Sequence, residues 1–130
     1  MKTKGSTRKI KEKPLGKLKK EVQEVCNRYI RLRDKSKPCI CCDKFNKLQA
    51  GHFWAVGTYD GLRYDETNIH GECARCNAFD QNHLENYRIN LKKRIGEEEL
   101  KRLDMKAANY KANGRKWTRY ELANILLYYK

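Results

Sequence analysis

The apolar residues that follow Pro14 are spaced for one face of a helix. They recur at steps of three and four residues, at Leu15, Leu18, Val22, Val25, Tyr29 and Leu32. That spacing follows the period of an α-helix, and it predicts an amphipathic helix over residues 15–34. Cys26 falls beside the stripe, where a small apolar side chain is expected to be buried.

The C-terminal half of the chain repeats the helical period in shorter segments. Asn82 and Glu85 have the spacing of a capping box, and the helix they open is predicted to end at Gly96, with one apolar face formed by Leu84, Tyr87, Leu91 and Ile95. Three glutamates then favour the start of another helix, because acidic residues complement the helix dipole there. Thr118 and Glu121 form a further capping box that predicts a final helix.

Between these helical regions the pattern is typical of short strands and turns. The predicted elements are, in order, a strand over 48–54, a loop over 55–61, a strand over 62–64, a turn over 65–68, and a short helix that starts within 74–77 and ends near Asp80. This order predicts an α+β fold, mostly helical, in which a ββα core is flanked by helices.

Two matched cysteine pairs add a metal site to this picture. Cys39 and Cys42 form one Cys-x-x-Cys pair, and Cys73 and Cys76 form the other. Two such turns can direct four thiolates at one ion, which is the ligand set of a structural Zn²⁺ site. Cys41 offers an alternative register, but Cys42 gives both pairs the same spacing. The sequence therefore predicts that zinc holds together a module with few apolar residues.

The charge of the chain indicates a polyanionic partner. There are 30 Lys and Arg residues against 16 Asp and Glu residues, a formal net charge of +14. Such a charge favours a nucleic acid partner. Residues 1–14 form a basic arm, predicted to be flexible, and Lys9, Lys11 and Lys13 are its candidate phosphate-binding residues; the alternative is a disordered solubilising end.

The hydropathy pattern predicts no membrane association and no secretory signal. A reducing cytosol is then expected, where paired cysteines bind metals rather than form disulfides.

His52 and Asn77 are the candidate catalytic residues. A phosphodiester nuclease needs a base that activates water, a Lewis acid at the phosphate and positive charge that holds the strand. The predicted hairpin and helix would bring His52, on the first strand, and Asn77, at the start of the helix, to opposite sides of one phosphate. Arg63 is placed to hold the phosphate, or else to pair with an acid such as Asp65.

The central segment resembles the zinc-bound HNH, or His-Me finger, nucleases. The residues that carry the resemblance are Gly51-His52, Asn68 and the run from Cys73 to Asn77. The segment is similar in more detail to the lambda NinG/Rap group of phage recombination nucleases, through Ala50 to Phe53, Leu62 to Asn77, Asn86 to Arg88 and Arg94 to Gly96. The resemblance covers roughly residues 37–103.

The resemblance implies roles for individual residues. His52 would be the general base, Asn68 would order the loop around it, and Asn77 would bind a catalytic Mg²⁺ or Mn²⁺. The implied activity is cleavage of DNA, in particular branched DNA such as Holliday junctions. Many HNH enzymes carry a second metal ligand where this chain has Gly51, so the catalytic ion would be held mainly by Asn77, DNA and water.

These patterns divide the chain into four regions. Charge and hydrophobic periodicity predict a basic arm over 1–14, an N-terminal amphipathic helix over 15–36 and a C-terminal helical region over 81–130. The resemblance implies that residues 37–80 form a zinc-bound ββα nuclease module. A homodimer would suit the symmetric cutting of a four-way junction.

Other interpretations of the same residues stay open. The chain could be a non-catalytic zinc-ribbon module that binds DNA or RNA. Asn77 could only cap a helix, and His52 could be a packed side chain. His70 is favoured as a hydrogen-bond partner of the cysteine-knuckle backbone, and His83 is expected to be exposed without a special role.

Overall fold

The computed structural model describes residues 13–79 and 83–130. Within these two ranges, no helix combines the length and the apolar character needed to cross a membrane. The predicted basic arm, with Lys9 and Lys11, lies largely outside the described residues, and so does Asp80.

The first helix, α1, spans Leu15–Arg33, as the apolar spacing predicts. Its buried face is made by Leu18, Val22, Cys26 and Ile30, which recur at every fourth position. Three members of the predicted stripe instead face solvent: Leu15, Tyr29 and Leu32. Cys26 is therefore part of the buried row rather than beside it.

The sheet has two antiparallel strands, β1 (Leu48–His52) and β2 (Ile69–Cys73). Their register runs from the pair Leu48 and Cys73 to the pair His52 and Ile69. The predicted strand over 62–64 is wrong. Its first residue ends a 3₁₀ helix, Asp60–Leu62, and the next two lie in a turn.

The strand β2 was not predicted, because its sequence of hydrophobic and polar residues is not that of a half-exposed strand. All five residues of β2 are buried, and they include His70 and Glu72. Period-two alternation assigns polar residues to the solvent face of a strand, so a strand with a helix on each face and polar side chains inside gives a misleading pattern.

Two apolar cores lie on the two sides of this sheet. The first joins α1 to the final helix, α5 (Arg119–Tyr129), through Leu122 and Leu126, together with Tyr64 and Ile69. The second core contains Ile40, Phe53 and Leu62 with residues from α3 (His83–Ile95) and α4 (Glu97–Asn113). The sheet and its loops are thus covered from both sides.

The helix boundaries in the C-terminal half follow local chemistry. Gly96 separates α3 from α4 with a φ of 89°, a conformation that glycine adopts without strain. The Thr118 side chain accepts from the Glu121 amide, and the Glu121 side chain accepts from the Thr118 amide. The predicted capping box of α5 is therefore confirmed. A short helix, α2 (Ala74–Phe79), follows β2 without a break.

A buried carboxylate ties the end of α1 to β2. Asp34 is fully buried and accepts hydrogen bonds from the Arg33 guanidinium, at 2.8 and 3.0 Å, and from the Gly71 amide, at 2.8 Å. Burial alone would raise its pKa, but these donors outweigh burial and hold the pKa of Asp34 at about 2. The Arg33 guanidinium also donates to the carbonyls of Glu66 and Ile69.

Candidate functional site

The four cysteines of the predicted zinc set come together in the structure. The Sγ atoms of Cys39, Cys42, Cys73 and Cys76 all lie within 4.8 Å of one another. The Cys41 thiol belongs to a different group of side chains. The donor set and its geometry suit a metal such as zinc.

The backbone around Cys39 is arranged for a thiolate. Its Sγ accepts from the amides of Cys41, Cys42 and Cys73 at 3.4, 3.5 and 3.3 Å. The Cys39 amide donates to the Lys44 carbonyl, which closes the first knuckle, and Asp43 takes a φ of 62° in that turn. Three amide donors around one sulfur stabilise negative charge there, as a metal-bound thiolate requires.

His52 is the last residue of β1, and its ring is held by the backbone. Its Nε2 lies 3.0 Å from the Arg63 carbonyl oxygen. Because a carbonyl only accepts, Nε2 carries the proton in the neutral ring and Nδ1 is left with a lone pair. Burial lowers the pKa of His52, the bond to the Arg63 carbonyl opposes that shift, and the Arg63 charge adds to it. His52 is therefore neutral at neutral pH.

Asn68 orders the loop after β1. It is fully buried; its Oδ1 accepts from the Trp54 amide at 2.8 Å, and its Nδ2 donates to the carbonyls of Trp54 and Leu62 at 3.1 and 3.2 Å. The Asn68 carbonyl also accepts from the Phe53 amide at 2.9 Å. The side chain thus spans the loop that leads from His52 to Arg63.

Asn77 is exposed on α2, and its Nδ2 donates to Gln49 Oε1 at 3.0 Å. The interpretation of Asn77 as a helix cap is wrong, because α2 begins at Ala74 and includes Asn77. Successive side chains alternate across a strand, so His52 and Gln49 project from opposite faces of β1. In the described part of the chain, no hydrogen bond joins His52 to Asn77.

The candidate phosphate-binding residues are partly engaged with acids. The Arg63 guanidinium pairs with Asp60 at 2.7 Å, rather than with Asp65, and Lys19 reaches the same carboxylate at 3.1 Å. Lys13 pairs with Glu21. These pairs are partly open to solvent, which weakens them, so a phosphate can compete for these cations.

His70 lies inside the protein rather than at the knuckle. Its Nε2 lies 3.0 Å from the Thr67 carbonyl and its Nδ1 lies 3.2 Å from the Arg33 guanidinium, so the predicted bond to the knuckle backbone is wrong. Burial, and after it the Arg33 charge, lowers the pKa of His70 to about 4. His70 is therefore a buried, neutral side chain that packs beside Asp34.

Three residues near the candidate base have contacts that the sequence did not predict. The buried Tyr87 hydroxyl donates to the Gly51 carbonyl at 2.6 Å, one residue before His52. Glu72 is fully buried beneath Gly51, and the His83 Nδ1 atom contacts its carboxylate. The expectation that His83 is exposed is wrong, because its side chain is largely buried against Glu72. These partners lie far from His52 along the chain, and no motif joins them.

The comparisons with known proteins agree with one another. A family model described as "Bacteriophage Lambda NinG protein" matches residues 1–130. The chain is 35% identical over 125 residues to "Protein ninG" of Escherichia phage 933W, across 95% of this chain and 60% of that protein. It is 34% identical over 125 residues to "Protein ninG" of Escherichia phage lambda, across 95% of this chain and 59% of that protein.

A third relative, "Protein ninG" of Salmonella phage P22, is 40% identical over 91 residues, across 68% of this chain and 45% of that protein. The chain spans about three-fifths of the length of the first of these curated relatives, 60% for the phage 933W protein. No solved structure matches the chain.

Proposed function

We propose that this chain, which belongs to the bacteriophage lambda NinG family, is a metal-dependent DNA endonuclease of phage recombination. Its substrate would be branched DNA such as a Holliday junction, inside the bacterial host cell. The observation that carries the proposal is the state of His52. A neutral ring, fixed through Nε2 to the Arg63 carbonyl, keeps Nδ1 available as a base.

The fold around His52 supports this role. A general base must be held in one orientation, with its acceptor atom free to take a proton from water. The Arg63 carbonyl sets the tautomer, Asn68 fixes the loop that carries Arg63, and Tyr87 holds the peptide before His52. In the proposed reaction, Nδ1 removes a proton from a water, and the water oxygen attacks the phosphorus in line. The bond from phosphorus to the 3′ oxygen breaks as the new bond forms, and the departing 3′ oxygen takes a proton from solvent.

Asn77 is the protein ligand that we assign to a catalytic Mg²⁺ or Mn²⁺. Because its Nδ2 is used by Gln49, its Oδ1 remains for an ion at the exposed surface of α2. Mg²⁺ is commonly bound by one or two protein oxygens with waters and phosphate completing its shell, so one amide oxygen fits. When bound, the ion would supply Lewis-acid neutralisation of charge on the phosphate and the leaving oxygen.

Basic side chains lie near both Asn77 and His52, as a DNA strand that contacts both residues would require. Arg75 is exposed on α2, two residues before Asn77, and Arg63 lies beside His52 on the other side of β1. A phosphate at the edge of the module would replace the Asp60 carboxylate as the partner of Arg63. A homodimer would place two such sites on the two strands of a junction.

The test is cleavage of a synthetic four-way junction by the wild type, His52→Ala and Asn77→Ala, with Mg²⁺, Mn²⁺ or EDTA. Loss of the base should lower the rate by about 10²–10⁴-fold, the usual contribution of general-base catalysis. Asn109→Ala is the matched control for Asn77→Ala, because Asn109 is an exposed helical asparagine on α4. Zinc content and junction binding show that each variant is folded.

The rate should also depend on pH with a known sign. Burial lowers the pKa of His52 from 6.5, so the base is lost only as the pH falls below that value. Single-turnover rates should therefore hold at pH 6.5 and decline in more acidic solution. A wild type that binds the junction but never cuts with Mg²⁺ or Mn²⁺ is instead a non-catalytic binding module. Equal rates for His52→Ala and wild type would show that another group is the base.

A further inference from the structure

A second group of metal-ligating side chains lies beside the four-cysteine cluster. Cys41 Sγ, a Glu72 carboxylate oxygen and a His83 ring nitrogen all lie within 4.8 Å of one another. Cys41 and Glu72 are buried, and the His83 side chain is 19% exposed. We propose that these three residues bind a second metal ion, and that this ion is Zn²⁺.

The three ligands come from three different elements of the fold. Cys41 lies in the first knuckle, Glu72 on the face of β2 that meets α3, and His83 at the start of α3. Each element is held by contacts of its own. The Asn90 side chain on α3 donates to the Ile40 and Cys41 carbonyls at 2.8 and 3.3 Å, so the knuckle and α3 are bound together beside the proposed site.

The space around Glu72 is specific for its carboxylate. A Cβ atom added at Gly51 would overlap Glu72 Oε1 and would lie 3.0 Å from Glu72 Cβ. Glycine at position 51 therefore makes room for this acid. On its other side the carboxylate contacts the His83 Nδ1 atom, and the His83 ring packs edge-on against Tyr87 at a centroid distance of 5.6 Å.

The donor set selects the ion. One thiolate, one imidazole and one carboxylate suit Zn²⁺, a borderline-soft ion that takes sulfur, nitrogen and oxygen ligands. Three protein ligands leave a fourth tetrahedral position for water. The Cys41 thiol, whose Sγ lies 3.8 Å from the His83 carbonyl, would lose its proton on binding. The four-cysteine set is complete without Cys41, so the two ions need not share a ligand.

The competing explanation is a buried ion pair between Glu72 and His83 with a nearby thiol. Such a pair loses its hydration on burial, and the attraction within it often no more than balances that cost. Metal stoichiometry separates the two explanations and does not depend on DNA cleavage. The proposal is therefore independent of the nuclease function.

The experiment is elemental analysis of native protein after dialysis against a weak chelator. We expect two zinc ions per chain in the wild type and one in each of Cys41→Ser, Glu72→Gln and His83→Asn. Cys26→Ser and Glu66→Gln are the matched controls, since these residues lie in the first core and beside Tyr129, and both should retain two ions.

Cobalt gives a second measurement on the folded wild type. One thiolate in place of four should give the second Co²⁺ about a quarter of the sulfur-to-metal charge-transfer intensity of the first. One zinc ion per wild-type chain overturns the proposal, whether or not the variants fold. Two ions that persist in all three variants would also overturn it.

Discussion

Gly51 shows how one missing side chain makes room for a buried carboxylate beside the candidate base. It precedes His52 on β1, its carbonyl accepts from Tyr87, and its Cα faces the buried Glu72. The backbone of this one residue thus contacts groups from β2 and α3. A substitution at Gly51 should therefore disturb the packing of the core rather than the surface.

Gly51→Ala should destabilise the protein by about 2 kcal/mol, because its Cβ would overlap a carboxylate that is buried and cannot move into solvent. Gly16→Ala is the matched control. Gly16 lies in α1 with no atom within 4 Å of an added Cβ, so alanine there should leave stability unchanged or raise it by up to about 1 kcal/mol. Urea unfolding of the three zinc-loaded proteins measures both effects, and equal midpoints for Gly51→Ala and wild type would contradict the expected clash.

For individual residues, the sequence predicted a site correctly where the ligands follow a fixed spacing. The set of Cys39, Cys42, Cys73 and Cys76 could be identified because tight turns impose the two-residue gap. The contact of Glu72 with His83 could not, because it joins β2 to α3 through space and no fixed spacing along the chain links the two residues. Buried polar pairs depend on tertiary packing, which local patterns do not encode.

The junction between α1 and β2 is the polar counterpart of the two apolar cores. Arg33, in the last turn of α1, holds Asp34 with two hydrogen bonds and donates to two carbonyls beside or within β2. The guanidinium can do this because it is planar and carries five donors. A lysine offers one ammonium group, which cannot reach all four acceptors.

Arg33→Lys should therefore lower the free energy of unfolding by about 3 kcal/mol, as expected when a buried charged network loses its main donor. Arg31→Lys is the matched control, since Arg31 is exposed in the same helical turn and should tolerate lysine with little change. Thermal unfolding with zinc present measures the difference. Similar melting temperatures for the two variants would mean that the network contributes little.

The helices were predictable and the second strand was not, for the same physical reason. Helix periodicity reports a buried stripe against a solvated surface, which α1 and α3 to α5 present. The strand β2 has no solvated face. The apolar residues Leu62 and Tyr64 are buried in a turn, and Asn68 donates a hydrogen bond to the Leu62 carbonyl there. Only the tertiary fold reveals which segment pairs with β1.

At the scale of the whole molecule, the net positive charge is the property that would govern the proposed binding to DNA. With a net charge of +14, binding should be driven largely by release of counterions from the phosphates. Deleting residues 1–13 removes six of the basic side chains, Lys2, Lys4, Arg8, Lys9, Lys11 and Lys13.

That deletion should make the plot of log binding constant against log salt concentration shallower, by about 0.9 for each phosphate that the arm no longer neutralises. Fluorescence anisotropy of a labelled junction at several salt concentrations measures the slope. A full-length variant with these six residues changed to glutamine should behave like the deletion, which separates charge from length. An unchanged slope in both would place the DNA-binding surface elsewhere.

The packing of α5 on α1 has a consequence for the order in which the chain folds. The first core takes Leu18 and Val22 from α1 but Leu122 and Leu126 from the last helix. During synthesis, the contacts of Leu18 and Val22 with α5 cannot form until almost the entire described chain has left the ribosome. The second core, which draws on residues between Ile40 and Ala107, spans a shorter loop that is cheaper to close. The cysteine module and α3 to α4 can thus assemble first, and the docking of α5 completes the fold.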